Sequence, residues 1–113
     1  MTEMEHHVHE KQGYHIVILT GEIDLESSPQ ARKILLDTVD HSAKLLIDMA
    51  SVTYIDSSGI ATLVEAFQRA KKQGKHVAFI CLSPAVVRVL SLARLDKVFA
   101  IHTDVESAIY AEP

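Results

Sequence analysis

The sequence predicts an α/β layer fold: an opening β-hairpin, then alternating helices and strands around a mostly parallel sheet of four to five strands with about four helices. Three observations predict it. Short apolar, β-branched runs at residues 14–20, 44–49 and 76–82 alternate with stretches of helical periodicity. Ser28-Pro29 and Ser83-Pro84 each combine a capping hydroxyl with a proline in the first helical turn. Leu45, Leu46 and Ile47 form an unbroken apolar run, as expected of a strand covered on both faces.

The elements follow in order. Residues 6–10 read as a short edge strand, Lys11-Gln12-Gly13 as a turn, and residues 14–20 as the strand completing the hairpin. Gly21 to Glu26 is expected to leave the sheet. Ser28 is the expected cap of a first helix, with Ala31, Ile34, Leu35, Thr38 and Val39 inward. Residues 44–49 form the next strand, and residues 50–55 read as a connector. Asp56 or Ser57 caps a second helix that carries Ile60, Leu63, Val64, Phe67 and Ala70 at helical spacing and ends near Gly74. A strand at 76–82, a third helix with Val86, Val87, Leu90 and Ala93 inward, and a short strand at 97–101 follow. A terminal helix begins at Thr103 or Asp104, with Val105, Ala108 and Ile109 inward. No repeat or linker interrupts the pattern, so one domain is expected over residues 1–113, with its core at about 5–110.

Composition narrows the function. The chain has 113 residues and a net charge of −4, which argues against a nucleic-acid binder. Three Phe, three Tyr and no Trp leave an aliphatic core. Cys81 is the only cysteine, so no intrachain disulfide forms. Its apolar neighbours mark it as an inert buried thiol. No apolar run is long enough to span a bilayer and the first ten residues are polar, so a soluble cytoplasmic domain is expected.

The most informative stretch is Tyr54-Ile55-Asp56-Ser57-Ser58-Gly59-Ile60. An acid, two hydroxyls and a glycine stand where a helix begins. Unpaired backbone N–H groups at such a start suit a cap, and they also suit a phosphorylated serine. In right-handed β-α-β units the loops after the strands share one edge of the sheet, so Asp24 and Asp56-Ser57 are expected on one rim.

Other chemistries fit less well. A nucleophile elbow needs glycine two residues before the serine, and Ile55 stands there. A receiver-like phospho-aspartate switch would use Asp48. It also requires adjacent acids after the first strand, and Glu22 and Asp24 are separated. Asp48 reads instead as a strand-end residue capping a turn. His6, His7 and His9 form a short cluster, with His7 and His9 on one side of a strand, but no cysteine or carboxylate stands at site spacing. The expectation there is a solvated, partly frayed end. The four glycines form no nucleotide-binding loop.

Thr20-Gly21-Glu22-Ile23-Asp24, Leu46-Ile47-Asp48, the Asp56-Ser57-Ser58-Gly59 stretch, Leu82-Ser83-Pro84-Ala85-Val86 and Leu95-Asp96-Lys97-Val98-Phe99, in that order, resemble the STAS domain. More narrowly they resemble bacterial anti-anti-sigma factors, also called anti-sigma factor antagonists. The resemblance covers nearly the whole chain. It implies a non-enzymatic protein without a cofactor or metal. Such a protein binds an anti-sigma factor that is also a serine kinase and so releases a sigma factor for RNA polymerase. The kinase phosphorylates the serine after the motif aspartate, here Ser57, which ends binding, and a phosphatase restores it. Asp24 is implied to lie beside that serine and to contact the kinase. Asp56, Ser57, Ser58, Gly59 and Ile60 complete the expected contact surface, with Gly59 leaving room for a partner, Ile60 supplying apolar contact and Ser58 serving the helix. The same fold also implies a stressosome part or an accessory subunit of an ABC lipid-transport system as alternatives. One departure stands out: Arg94 occupies a position where the family often has glycine, so the third helix is expected to end differently from a left-handed helix end.

Overall fold

The computed structural model describes residues 3–111. It holds a five-stranded sheet in the order β1-β2-β3-β4-β5, with four α-helices and one 3₁₀ turn. β1 (Glu5–Lys11) and β2 (Tyr14–Ile23) form the antiparallel hairpin, and every later neighbour is parallel. Between them, α1 (Ser28–His41) leads to β3 (Lys44–Ile55), α2 (Ser57–Lys72) to β4 (His76–Ile80), and α3 (Pro84–Leu92) to β5 (Ile101–His102). Strand order follows chain order, so every parallel crossover advances the same way and places its helix on the same face. Ala31 and Leu35 of α1, Leu63 and Ala66 of α2, and Val86 and Leu90 of α3 therefore share one core with Val17, Leu19, Leu45 and Ile47. α4 (Val105–Ala111) turns back onto the opposite face, where Ala108 packs with Tyr14, Ile16, Leu46 and Ile80. The run Leu45-Leu46-Ile47 is buried on both faces, as its apolar continuity predicts.

Several boundaries differ from the sequence reading. β2 does not release the chain at Gly21; it continues to Ile23. Residues 50–55 are not a connector but the second half of β3. These extensions pair only with each other, beyond the reach of β4, with Ile23 opposite Ile55. Register shifts between Ile18 and Thr20 and between Gly21 and Glu22 explain the misreading. They make the buried positions of this half Met49, Val52 and Ile55, a spacing of three where a regular strand shows two.

β1 is a paired strand over its whole length, not a frayed end. The predicted last strand at 97–101 divides into a 3₁₀ turn (Leu95–Lys97) and the two-residue β5. β4 ends at Ile80, because Cys81 adopts φ 56°. Cys81 is half-buried against the second core, and that burial, with Asp48 nearby, pushes its thiol pKa up, in keeping with an inert thiol. Asp48 lies inside β3 rather than at its end, although its Oδ1 accepts from the Ala50 N–H at 3.0 Å, the local turn contact expected of it. In α3, Val87 and Ala93 face outward; Val86, Leu90 and half-buried Val89 carry the packing.

Arg94 overturns the expectation drawn from it. It adopts the left-handed conformation itself (φ 61°, ψ 22°), so the helix ends as it would with glycine. An L-residue there costs about 1–2 kcal/mol, part of which glycine would return as unfolded-chain entropy. Arg94→Gly is expected to raise stability by roughly 0.5–1 kcal/mol, read as a higher urea midpoint at unchanged slope. A lowered midpoint would contradict this account.

Candidate functional site

The extended β2–β3 pair carries two loops to one place. Ile23 and Ile55 are paired, and the Asp56 N–H donates to the Ile23 carbonyl at 3.3 Å. Asp24 and Asp56 thus emerge side by side, on one rim as the topology predicts.

Asp56 caps α2. Its Oδ1 accepts from the N–H of Ser58 (2.9 Å), the N–H of Gly59 (3.2 Å) and the Ser58 hydroxyl (2.6 Å). The Ser58 hydroxyl lowers the Asp56 pKa most; the Gly59, Ser58 and Leu25 amides add to it against partial burial. The Leu25 contribution ties this cap to the other loop. A carboxylate with a depressed folded pKa stabilises the fold fully above its unfolded value, about 3.8, and loses that stabilisation as pH falls through the folded value. Replacing the cap, as in Asp56→Ala, is expected to cost about 1 kcal/mol at neutral pH. Asp56→Asn keeps capping geometry but should flatten the fall in stability below about pH 4, seen in urea titrations across pH. An undiminished slope in that variant would exclude Asp56 as its source.

The two serines differ. The Ser58 hydroxyl is committed to Asp56 and its side chain is half-buried, which matches its expected service to the helix. Ser57 is the first residue of α2 and exposed, and its hydroxyl makes no hydrogen bond among the described residues. The expected row of unpaired N–H groups is mostly absent: Asp56 occupies those of Ser58 and Gly59.

Gly59 serves the interior, contrary to its expected role of admitting a partner. It is buried, and a Cβ there would stand 2.6 Å from Ile55 Cγ1, 2.9 Å from Ile23 Cγ2 and 3.0 Å from the Ile23 carbonyl oxygen. Its missing side chain lets α2 start directly over the strand ends. Ile60 is likewise half-buried against the main core, so it offers little free apolar surface.

Asp24 holds its own loop. Its Oδ1 accepts from the N–H groups of Glu26 (3.1 Å) and Ser27 (3.0 Å). Ser27, not Ser28, stands at the N-cap of α1, with Ser28 the first helical residue. The Ser27 hydroxyl donates to the Glu22 carbonyl (2.8 Å) and accepts from the Asp24 N–H (3.0 Å) instead of capping. Asp24 also lines an open groove of about 430 Å³ with Glu3, Met4, Glu22, Glu26, Ser27 and Gln30. The groove is acidic and suits a basic partner surface. Two exposed apolar side chains went unread in the sequence: Leu25, 77% exposed between Asp24 and Glu26, and Tyr54, 48% exposed on β3. The signal for Leu25 was available, since an apolar residue inside an acidic loop has no core to serve.

Among the described residues no group of three or more His, Cys, Asp or Glu is placed to hold a metal. Among the described residues no helix is long and apolar enough to cross a membrane.

Known proteins resemble this chain in sequence and in fold. An anti-sigma-B factor antagonist of Bacillus subtilis is 31% identical over 93 residues, covering 82% of this chain and 85% of that protein. An anti-sigma factor antagonist from Mycobacterium paratuberculosis superimposes with a TM-score of 0.87 at 25% identity, covering 96% of this chain and 93% of that one. The Bacillus cell fate determinant SpoIIAA in its phosphorylated form shares the fold at 14% identity, with a TM-score of 0.72 over 96% of this chain and 100% of that one. The STAS domain model matches residues 6–108, from the hairpin's outer strand into the last helix. That span, with the 31% identical relative, makes this chain a member of the STAS domain family.

Proposed function

We propose that this protein is an anti-sigma factor antagonist. In its unmodified form it binds an anti-sigma factor with serine kinase activity and frees a sigma factor. Phosphorylation of Ser57 ends that binding, and a phosphatase restores it. The observation that carries the proposal is the state of Ser57: an exposed, uncommitted hydroxyl at the first residue of α2, on the rim that also bears Asp24. A relative 31% identical over most of its length carries the name of such an antagonist, and a structural neighbour is known in a phosphorylated form.

The geometry supports repulsion at a surface over a change of fold. A phosphate adds about −1.5 to −2 charges. The helix N-terminus favours an anion by only about 0.3–1 kcal/mol, and Asp56 already occupies the N–H groups of Ser58 and Gly59. The phosphate therefore stays outward, next to Asp56 and on the rim that bears Asp24. In a packed interface that charge would cost several kcal/mol. Leu25 and Tyr54 supply the apolar contact first assigned to Ile60.

Incubation with the kinase and ATP, followed by mass spectrometry, is expected to locate phosphate on Ser57. Phosphate on Ser58 alone would overturn the assignment. Capture of partners by the unphosphorylated protein separates this reading from its rivals: an anti-sigma kinase supports it, whereas a transporter ATPase or a stressosome assembly refutes it.

A further inference from the structure

The outer edge of β1 carries a pattern that the switch does not use. All seven residues, Glu5–Lys11, are exposed, and the sheet order leaves β1 with a neighbour on one side only. Long open edges invite pairing with another chain. The sequence Glu-His-His-Val-His-Glu-Lys is complementary to itself when reversed about Val8. Paired antiparallel with a second copy, Glu5 meets Lys11, His6 meets Glu10, His7 meets His9, and Val8 meets Val8. In parallel register every charge would meet its like.

The ladder geometry agrees. Gln12 and Gly13 form a two-residue turn with positive φ at both positions (52° and 84°), closed by the pair Lys11 and Tyr14. Counting from that hydrogen-bonded pair, His6, Val8 and Glu10 direct their backbone groups away from β2. These are the residues that a two-fold axis through Val8 would bring into hydrogen-bonded register. His7 and His9 would then face His9 and His7 of the second copy in the closer, non-hydrogen-bonded pairs. They already share one face of the strand, with ring centroids 5.9 Å apart. Opposite residues share a face, so four imidazoles would surround the axis. One copy alone offers only two, short of a tetrahedral site.

We propose that β1 is a self-pairing edge, and that His7 and His9 of two copies together bind one zinc ion on the two-fold axis. Imidazole nitrogen suits zinc. Seven residues of ladder bury too little surface for a stable dimer, so the ion supplies the missing affinity. Zinc bound only by the dimer, at a hundred times its dissociation constant, tightens association on the order of a hundredfold.

The experiment is sedimentation of the whole protein with zinc chloride or with EDTA. The expected result is a doubled mass with zinc, at one ion per two chains, reversed by EDTA. His7→Ala with His9→Ala should abolish it while circular dichroism stays unchanged. In a Cys81→Ser background, Val8→Cys should cross-link under mild oxidation when zinc is present, because paired Cα atoms about 5.5 Å apart are within disulfide range. Glu5→Cys, far from its mate, should not. Zinc bound by the monomer, no zinc binding, a dimer that persists in the double alanine variant, or cross-linking through Glu5→Cys would each overturn the proposal.

Discussion

Ser57→Asp is expected to weaken binding of the anti-sigma kinase on the order of a hundredfold, while Ser57→Ala stays within about threefold of the unmodified protein. The added carboxylate enters a rim that already carries Asp24, Asp56, Glu22 and Glu26. Burying one more uncompensated negative charge there costs about 3 kcal/mol, and the doubly charged phosphate costs more. The fold should be indifferent. Ser57 is exposed and uncommitted, and an acid in the first turn agrees with the helix dipole, so stability read from urea denaturation should change by less than about 0.5 kcal/mol. Titration calorimetry against the kinase, run beside urea denaturation, separates the two effects. Equal affinities of the two variants would refute repulsion. Lost affinity accompanied by lost stability would mean that Ser57 serves the fold after all. Asp24→Ala is a poorer probe of contact, because removing Oδ1 also releases the N–H groups of Glu26 and Ser27.

Gly59→Ala is expected to cost about 2–3 kcal/mol of stability, the largest single effect among the motif residues. The new Cβ would stand 2.6 Å from Ile55 Cγ1 and 3.0 Å from the Ile23 carbonyl oxygen. The side-chain contacts can yield by repacking. The backbone oxygen cannot, because Ile23 is held in the β2–β3 ladder and accepts from Asp56. The start of α2 must lift instead, drawing Ser57 with it. The measurement is the urea midpoint at unchanged slope. A loss below about 0.5 kcal/mol would show that α2 is not seated as tightly as this packing requires.

These two residues show how far the chain could be read without its fold. A helix start capped by Asp56 or Ser57 follows from local rules, because an acid followed by serines before a helical period has few other uses; the structure decides for Asp56. The crossover helices, the double-sided burial of Leu46 and its neighbours, and the Ser83-Pro84 helix start followed in the same way. The second half of β3 did not, because its register shifts replaced the strand period with a spacing of three. Arg94 misled for a related reason. Residue preference indicates what a left-handed position favours, whereas the surrounding chain decided that the position stays left-handed.

By itself the sequence determined the layer architecture and the rim on which the two acidic loops meet, while the resemblance singled out Ser57 over Ser58. Periodicity, caps and the handedness of crossovers are properties of neighbouring residues. Only the tertiary structure decided that Gly59 admits Ile23 and Ile55 rather than a partner, that Ile60 belongs to the core, and that Leu25 stands exposed beside Asp24. Those assignments depend on which atoms fill the space over the ends of β2 and β3, and residues far apart in the chain decide what fills it.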